Sequence, residues 1–120
     1  MEHRPSFEVS LVIPAYNEER RLGRALEGVF SFFRGCDFSY EIIVVDDGSC
    51  DGTERVADEF KNTIPFLTYI KHERNLGKAE AVRKGILVAQ GEYICFSDAD
   101  FSTPVHYLRE VVAGLKRGAD

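Results

Sequence analysis

The chain alternates between short apolar runs and longer segments in which apolar residues recur at helical spacing. The uninterrupted apolar run at 42–45 (IIVV) is typical of a strand that is buried on both faces of a parallel sheet. Strands that are separated by helices pair in parallel through crossover connections. The pattern β-α-β-α-β-α-β-α therefore predicts an α/β fold with a doubly wound, mainly parallel sheet. The predicted strands span residues 9–13, 41–45, 67–71 and 93–97, and the predicted helices span 22–33, a short segment after 51, 78–89 and a segment from 103.

Local signals set the expected ends of these elements. Pro14 should end the first strand because proline cannot donate a hydrogen bond to a sheet ladder. Asn17 is a suitable N-cap for the first helix. Asp51 and Glu54 have the spacing of a capping box at the start of the second helix. Thr103 can cap the last helix.

Composition narrows the class of protein. The chain has 120 residues, of which 44% are hydrophobic and 29% charged, which predicts one soluble globular domain spanning 1–120. Its net charge of −5 argues against nucleic acid as a partner, because phosphate neutralisation supplies most of that affinity. No apolar run is long enough for a membrane span, and no signal peptide is visible. Three dispersed cysteines indicate reduced thiols and a cytoplasmic protein.

Acidic residues follow three of the four predicted strands. They lie in the segments 14–18 (PAYNE), 46–49 (DDGS) and 98–100 (DAD). Ligands of doubly wound sheets bind outside the carboxyl ends of the strands, so these segments should meet at one edge. Carboxylates that are brought together repel one another unless a cation or a donor ligand offsets the charge.

The pair Asp98 and Asp100 suits a divalent cation, Mg²⁺ or Mn²⁺. A spacing of two places both side chains on one side of an extended backbone. The cation could then hold a diphosphate that this acidic chain would otherwise repel. The chain contains no G-x-G-x-x-G fingerprint, so a dinucleotide-binding turn of that kind is excluded.

Four segments together resemble the N-terminal half of a family 2 glycosyltransferase with the Rossmann-like GT-A fold. They are VSLVIPAYNEERRL, YEIIVVDDGSCDGT, HERNLGKAEAVRKGI and GEYICFSDADFSTP, and they cover most of residues 9–104. The chain is most similar to polyprenyl- and dolichyl-phosphate glucosyl- and mannosyltransferases. The resemblance implies inverting transfer of a sugar from UDP-glucose or GDP-mannose to a lipid phosphate, at the cytosolic face of a membrane.

The resemblance also implies roles for individual residues. A nucleotide-sugar site would include an N-x-G-K loop ending in Lys78, which could meet a phosphate, and an Asp that reads a base N–H, either Asp46 or Asp47. Asp98 and Asp100 match the metal-binding pair. Ser102 stands where a Gln is frequent in the mannosyl enzymes, which favours the glucosyl type. The remaining residues of the implied nucleotide-sugar site are Pro14, Ala15, Tyr16, Glu18 and Ala99.

Each role has a structural alternative. Tyr16 could cover the end of the sheet, Glu18 could be a first-turn residue of a helix, and Asp47 could only build a turn. Lys78 could be a solvated lysine at a helix start.

Three other classes of protein are alternatives, and the order of the acidic motifs argues against the first two. A receiver-type signalling domain and an aspartate-nucleophile phosphatase both place their acidic motifs differently along the chain. A non-catalytic module that binds nucleotide sugars is a further alternative.

Family members are considerably longer, so the chain is expected to be a fragment with a partial donor site and little activity. The acceptor site, and any general base, would lie in the absent half. An open sheet edge in such a fragment invites self-association.

Overall fold

The computed structural model describes residues 7–98, which form a four-stranded parallel sheet with three helices. The strand order is β3-β2-β1-β4, and every neighbouring pair is parallel. The predicted helix from Thr103 lies outside the described residues. The elements are β1 (Phe7–Ala15), α1 (Leu22–Arg34), β2 (Tyr40–Asp46), α2 (Thr53–Lys61), β3 (Leu67–Lys71), α3 (Lys78–Val88) and β4 (Gly91–Phe96).

One face of the sheet carries the larger core. Leu11 of β1 and Val44 of β2 point to this face and meet Leu26 and Phe33 of α1. Phe33 stacks on Tyr40, with 4.5 Å between the ring centroids. The helical spacing of the apolar residues in α1 places them on a single stripe, which is why this helix packs along the sheet.

The opposite face carries α3. Val12, Ile43 and Val45 of the sheet pack with Ala81 of this helix. A Cβ atom on Gly85 would come within 2.3 Å of the Val12 Cγ1 atom, so α3 approaches the sheet more closely than any larger residue would permit. The chain therefore places helices on both faces, which confirms the doubly wound α/β fold.

The winding direction reverses between β1 and β4. The chain runs outward through β2 and β3 and then returns, past β1, to add β4 on the other side. In such sheets a crevice opens at the carboxyl ends of the strands where the direction reverses. This point of the fold is where a ligand site is expected. Within residues 7–98 both β3 and β4 lie at sheet edges, and self-association through an edge stays a prediction.

The prediction that Pro14 ends the first strand is wrong. β1 continues to Ala15, with Pro14 opposite Val45 and Ala15 opposite Asp46. Residues of a parallel strand alternate in the neighbour that they bond, and the Val12 carbonyl bonds the Ser97 N–H on the β4 side. Pro14 lies two residues after Val12, so its backbone nitrogen also faces the β4 side. The pairing with β4 stops at Val12, and the missing N–H of Pro14 therefore leaves no gap in the ladder.

Two capping predictions are also wrong. Asn17 lies well before α1 in the left-handed region, with φ 52°, and its side chain accepts a hydrogen bond from the Cys50 N–H. The residue that precedes α1 is Arg21. The N-cap residue of α2 is Gly52, so Asp51 lies one residue too early to form a capping box with Glu54, and its carboxylate instead accepts the Thr53 N–H at 3.0 Å.

The three cysteines are free thiols, as the sequence indicated. Burial raises the pKa of the Cys95 thiol to about 11. Among residues 7–98 we find no helix whose length and apolar character would let it cross a membrane.

Candidate functional site

A cleft of about 430 Å³ opens at the carboxyl ends of β1 and β2, beside the start of α3 and the end of β4. It gathers most of the residues that the sequence singled out. Asp46 is not among them, and Ala99 and Asp100 lie outside the described residues. The lining residues are Pro14, Ala15, Tyr16, Glu18, Asp47, Asn75, Gly77, Lys78, Ala81 and Asp98.

The two adjacent aspartates at the end of β2 point to opposite sides of the sheet, because successive side chains of a strand alternate. Asp46 is fully buried and lies two residues after Val44, so both side chains point to the face of the sheet that α1 and α2 cover. Its carboxylate accepts the Ser49 N–H at 2.8 Å and the Tyr69 O–H at 2.5 Å. The Tyr69 hydroxyl is partly buried and bonded to this carboxylate, and both effects raise the pKa of Tyr69. Asp46 is therefore a structural residue that holds the turn.

Asp47 faces the cleft and binds the loop that follows β3. Its Oδ1 atom accepts the Leu76 N–H at 2.9 Å and lies 2.9 Å from His72 Nδ1. Its Oδ2 atom accepts the Gly77 N–H at 2.8 Å and Asn75 Nδ2 at 3.1 Å. Burial acts to raise the pKa of Asp47, but these hydrogen bonds and the nearby His72 outweigh it and hold the pKa below its ordinary value.

Two glycines let the turn and the loop meet. Gly48 has φ +80°, and a Cβ atom there would lie 2.5 Å from the backbone carbonyl carbon of Arg74. Gly77 has φ +105° and directly precedes α3. Left-handed conformations of this kind favour glycine. The DDGS turn and the 72–77 loop are thus in direct backbone contact.

Tyr16 and Glu18 form the wall of the cleft that continues from β1. Tyr16 is 48% exposed, so its ring is available to a ligand. The Glu18 carboxylate forms an ion pair with Arg21 at 3.2 Å. Because α1 begins at Leu22 and has no acidic residue in its first turn, the alternative role of Glu18 as a first-turn residue does not apply.

The loops after β1 and β2 are bonded to each other. The Asn17 N–H donates to Ser49 Oγ at 2.8 Å, and the Glu18 N–H donates to Thr53 Oγ1 at 2.9 Å. The polar residues of the DGSCDGT segment therefore hold Tyr16 and Glu18 in place. This gives Ser49 a positioning role as well as a place in the turn.

Lys78 and Asp98 meet across the cleft. Lys78 is the first residue of α3, and its ammonium group forms an ion pair with the carboxylate of Asp98, which follows β4. Both side chains remain substantially exposed. A carboxylate at the cleft offers the oxygen ligands that hard divalent cations prefer. Residues 7–98 contain no cluster of three acidic, His or Cys side chains that could hold a metal alone, and Asp100 lies outside them.

Sequence reasoning missed His72 and the full part played by Asn75. The search for strand-end residues covered the first, second and fourth strands and left His72 unassigned. The available signal was the end of β3 at Lys71, after which the chain turns back over β2. The polar residues 72–77 were the place to look.

Comparison with known proteins identifies the family. Residues 10–120 match the profile of Glycosyl transferase family 2. Dolichyl-phosphate beta-glucosyltransferase of Drosophila melanogaster is 40% identical over 124 residues, which cover 98% of this chain and 38% of that enzyme. The chain thus spans well under half the length of this relative.

Two solved structures have the same fold. Mannosyltransferase PcManGT from Pyrobaculum calidifontis, in complex with GDP-Man and Mn²⁺, is 30% identical with a TM-score of 0.68, over 82% of this chain and 28% of that one. S. aureus TarS 1-349 in complex with UDP-GlcNAc is 25% identical with a TM-score of 0.67, over 92% of this chain and 31% of that one. With the family profile matched over most of its length, this chain belongs to glycosyl transferase family 2.

Proposed function

We propose that the chain is the donor-binding part of an inverting glycosyltransferase that moves a hexose from UDP-glucose or GDP-mannose to a polyprenyl or dolichyl phosphate. The observation that carries the proposal is the cleft at the reversal point of the sheet, where Lys78 and Asp98 face each other. A cation and a carboxylate at one end, and an exposed aromatic ring at a wall, suit a ligand with a charged diphosphate and a flat base.

The nucleoside would lie against the segment that leaves β1. Pro14, Ala15 and Tyr16 line this part of the cleft, and Glu18 closes it. An exposed tyrosine ring offers a face for stacking and a hydroxyl for hydrogen bonding. Glu18 offers carboxylate oxygens to nucleoside hydroxyl or N–H groups.

The diphosphate would lie at the other end of the cleft. Lys78 can donate to phosphate oxygens, and it stands at the amino terminus of α3, where the helix dipole favours negative charge. Asp98, together with Asp100 and the adjoining Ala99 backbone, would hold Mg²⁺ or Mn²⁺. The ion, when bound, would neutralise charge on the departing nucleoside diphosphate. PcManGT, a neighbour at 30% identity, was solved with Mn²⁺.

The acceptor proposal rests on the kind of enzyme that the chain resembles at 40% identity, a dolichyl-phosphate beta-glucosyltransferase. An oxygen of the lipid phosphate would form the new bond to the anomeric carbon as the bond from that carbon to the diphosphate breaks. A phosphate monoester is already anionic at neutral pH, so the need for a general base is small. We place this reaction at the cytosolic face of a membrane.

Isothermal titration tests the donor site. The chain is titrated with UDP-glucose and with GDP-mannose, each with and without Mn²⁺. We expect Mn²⁺-dependent binding of one donor, and Asp98→Asn should weaken it roughly tenfold or more, because the charge of the ligands sets the affinity for a hard cation.

Asp58→Asn is the matched control, since Asp58 is an exposed acidic residue of α2 that does not line this cleft. It should leave donor binding unchanged. Failure of the folded wild-type chain to bind either donor would contradict the proposal, as would equal effects of the two substitutions.

A further inference from the structure

We infer that Asn17 is a positioning residue for the nucleoside end of the donor site, although its own side chain does not line the cleft. The inference rests on the donor site proposed above. Tyr16 and Glu18, the residues on either side of Asn17, both line the cleft where the nucleoside would lie. Asn17 fixes the bend of the chain between these two residues.

The backbone of Asn17 has a conformation that few residues adopt readily. Its φ is 52°, and between residues 7 and 98 it is the one residue other than glycine with a positive φ. In this left-handed region the Cβ atom of most residues comes too close to a backbone carbonyl oxygen. Asparagine tolerates the region better, because its short polar side chain can bond nearby backbone groups. An asparagine is therefore suited to hold this bend.

Hydrogen bonds join Asn17 to the turn at the end of β2. Its N–H donates to Ser49 Oγ at 2.8 Å, and its side-chain Oδ1 atom accepts the Cys50 N–H at 2.9 Å. The Ser49 N–H in turn donates to the carboxylate of Asp46, which is fully buried. The bend in the wall of the cleft is thereby tied to the core of the sheet.

Other elements build the diphosphate end of the cleft. Lys78 begins α3 and Asp98 follows β4, and neither residue takes part in the hydrogen bonds that hold Asn17. A loosened bend should therefore weaken contacts with the nucleoside and leave those with the diphosphate intact. A general loss of stability would weaken both, so the two ends of the ligand distinguish positioning from stability.

Titration with two kinds of diphosphate tests the inference. UDP, GDP and methyl diphosphate are each titrated with Mn²⁺ into the wild-type chain and Asn17→Ala. Alanine removes the side-chain acceptor and disfavours the left-handed conformation, so a smaller fraction of molecules has the loop in its binding geometry. The nucleoside diphosphate that binds should lose affinity by roughly threefold to thirtyfold, and methyl diphosphate should change by less than about twofold. Equal losses for both ligands, or no loss for either, would overturn the inference.

Two further variants separate the conformation of Asn17 from its side-chain hydrogen bond. Asn17→Gly permits the left-handed conformation and loses only the Oδ1 acceptor, so its loss of affinity should be smaller than that of Asn17→Ala. Asn17→Asp keeps an acceptor for the Cys50 N–H and tolerates a positive φ, so it should bind within about threefold of the wild-type chain. If either variant binds as weakly as Asn17→Ala, the inference is wrong.

Asn62→Ala is the matched control. Asn62 is an exposed asparagine at the end of α2 with an ordinary φ of −79°, and it does not line the cleft. Its substitution should leave the affinity for each ligand unchanged. A loss of nucleoside diphosphate affinity equal to that of Asn17→Ala would mean that the effect does not come from the bend, and the inference would fail.

Amide hydrogen exchange tests the loop without a ligand. The Glu18 N–H donates to Thr53 Oγ1 at 2.9 Å, so its protection reports whether the chain after the bend keeps its place. Asn17→Ala should lower this protection by about threefold to thirtyfold and leave that of Leu11, in the buried core of β1, unchanged. Unchanged protection at Glu18 would overturn the inference.

The two measurements also separate this inference from the proposed function. If the wild-type chain binds no diphosphate, the donor-site proposal fails, and exchange at Glu18 still decides whether Asn17 holds the loop. If Asn17→Ala does not fold, Asn17→Gly carries both measurements, with the same direction of change and a smaller size.

Discussion

On one face of the sheet, α1 buries large side chains such as Leu26 and Phe33, whereas on the other face the buried residues of α3 are Ala81 and Gly85. The outer side of α3 includes Leu87, which is 64% exposed. The cleft nevertheless lies beside the start of α3, the helix that buries only small residues. The first face derives its stability from large buried side chains. The second places a helix by close backbone approach and by the Asp47 carboxylate, and this brings polar groups to the cleft.

The same contrast appears in the aspartate pair at the end of β2. Asp46 belongs to the α1–α2 face, and its bonds to Ser49 and Tyr69 keep it within the core. Asp47, one residue later, belongs to the α3 face and holds the loop that borders the cleft. Neighbouring residues of the same type therefore serve the core and the candidate cleft separately.

The largest expected effect comes from the first face. Phe33→Ala should lower the free energy of unfolding by about 3 to 5 kcal/mol, since a fully buried phenyl ring and its stacking on Tyr40 are lost. Urea denaturation followed by circular dichroism measures the change.

Ile86→Ala on α3 is the control for this substitution. Ile86 is 45% exposed, so its truncation should change stability by no more than about 0.5 kcal/mol. Equal losses in the two variants would remove the distinction between the faces.

Two helical glycines give a sharper test of how α3 is held. Gly85→Ala should cost a net 1 to 2 kcal/mol, roughly, because the new methyl group overlaps the stiff, buried Val12 side chain and outweighs the better helix propensity of alanine. Donor binding should weaken with it, since α3 must move away from the sheet. Thermal unfolding and the donor titration measure the two effects.

Gly23→Ala on α1 is the matched control for Gly85→Ala. A Cβ atom at Gly23 would lie 3.5 Å from Phe60 Cε2, which is an ordinary contact. This substitution should stabilise the chain by roughly 0.5 to 1 kcal/mol and leave donor binding unchanged. The close packing of α3 would be refuted by a Gly85→Ala variant that behaves in the same way.

The smallest effect is local and depends on pH. The folded-state pKa of Asp47 lies below its unfolded value, so its contribution to stability is complete above the usual aspartate pKa of about 3.9 and is lost as pH falls through the folded pKa. We expect the amide proton shifts of Leu76 and Gly77, followed by NMR, to stay constant down to about pH 4 and to change only below it.

Asp47→Asn should abolish that transition. A midpoint above that of an aspartate in an unstructured peptide would contradict the assigned direction of the pKa change.

The order of strands and helices could be predicted because it follows from local patterns. The run at 42–45 predicts a buried strand, and the helical spacing of apolar residues in α1 predicts a helix. The strand β3 was predicted with its observed bounds, Leu67–Lys71. The ends of elements were less predictable. Pro14 lies within β1 because the pairing with β4 stops at Val12, a fact about a neighbouring strand 80 or so residues away in sequence.

Most of the candidate site could also be predicted, since residues that follow parallel strands meet at one edge. Tyr16, Glu18 and Lys78 all lie at the cleft as expected. The choice between Asp46 and Asp47 could not be made from sequence, because alternation says only that they face opposite sides. Which side carries α3 depends on the crossover from β3 to β4.

The sequence by itself determined the class of fold, the edge of the sheet that carries the cleft and the family, since all three are carried by short segments read in order. Tertiary structure decided which carboxylate serves the core and which serves the cleft. It also decided that His72 and Asn75 belong to the site. The physical reason is that a hydrogen bond joins groups that are close in space. The two contacts with Asp47 span 25 and 28 residues of chain, a separation that no local pattern records.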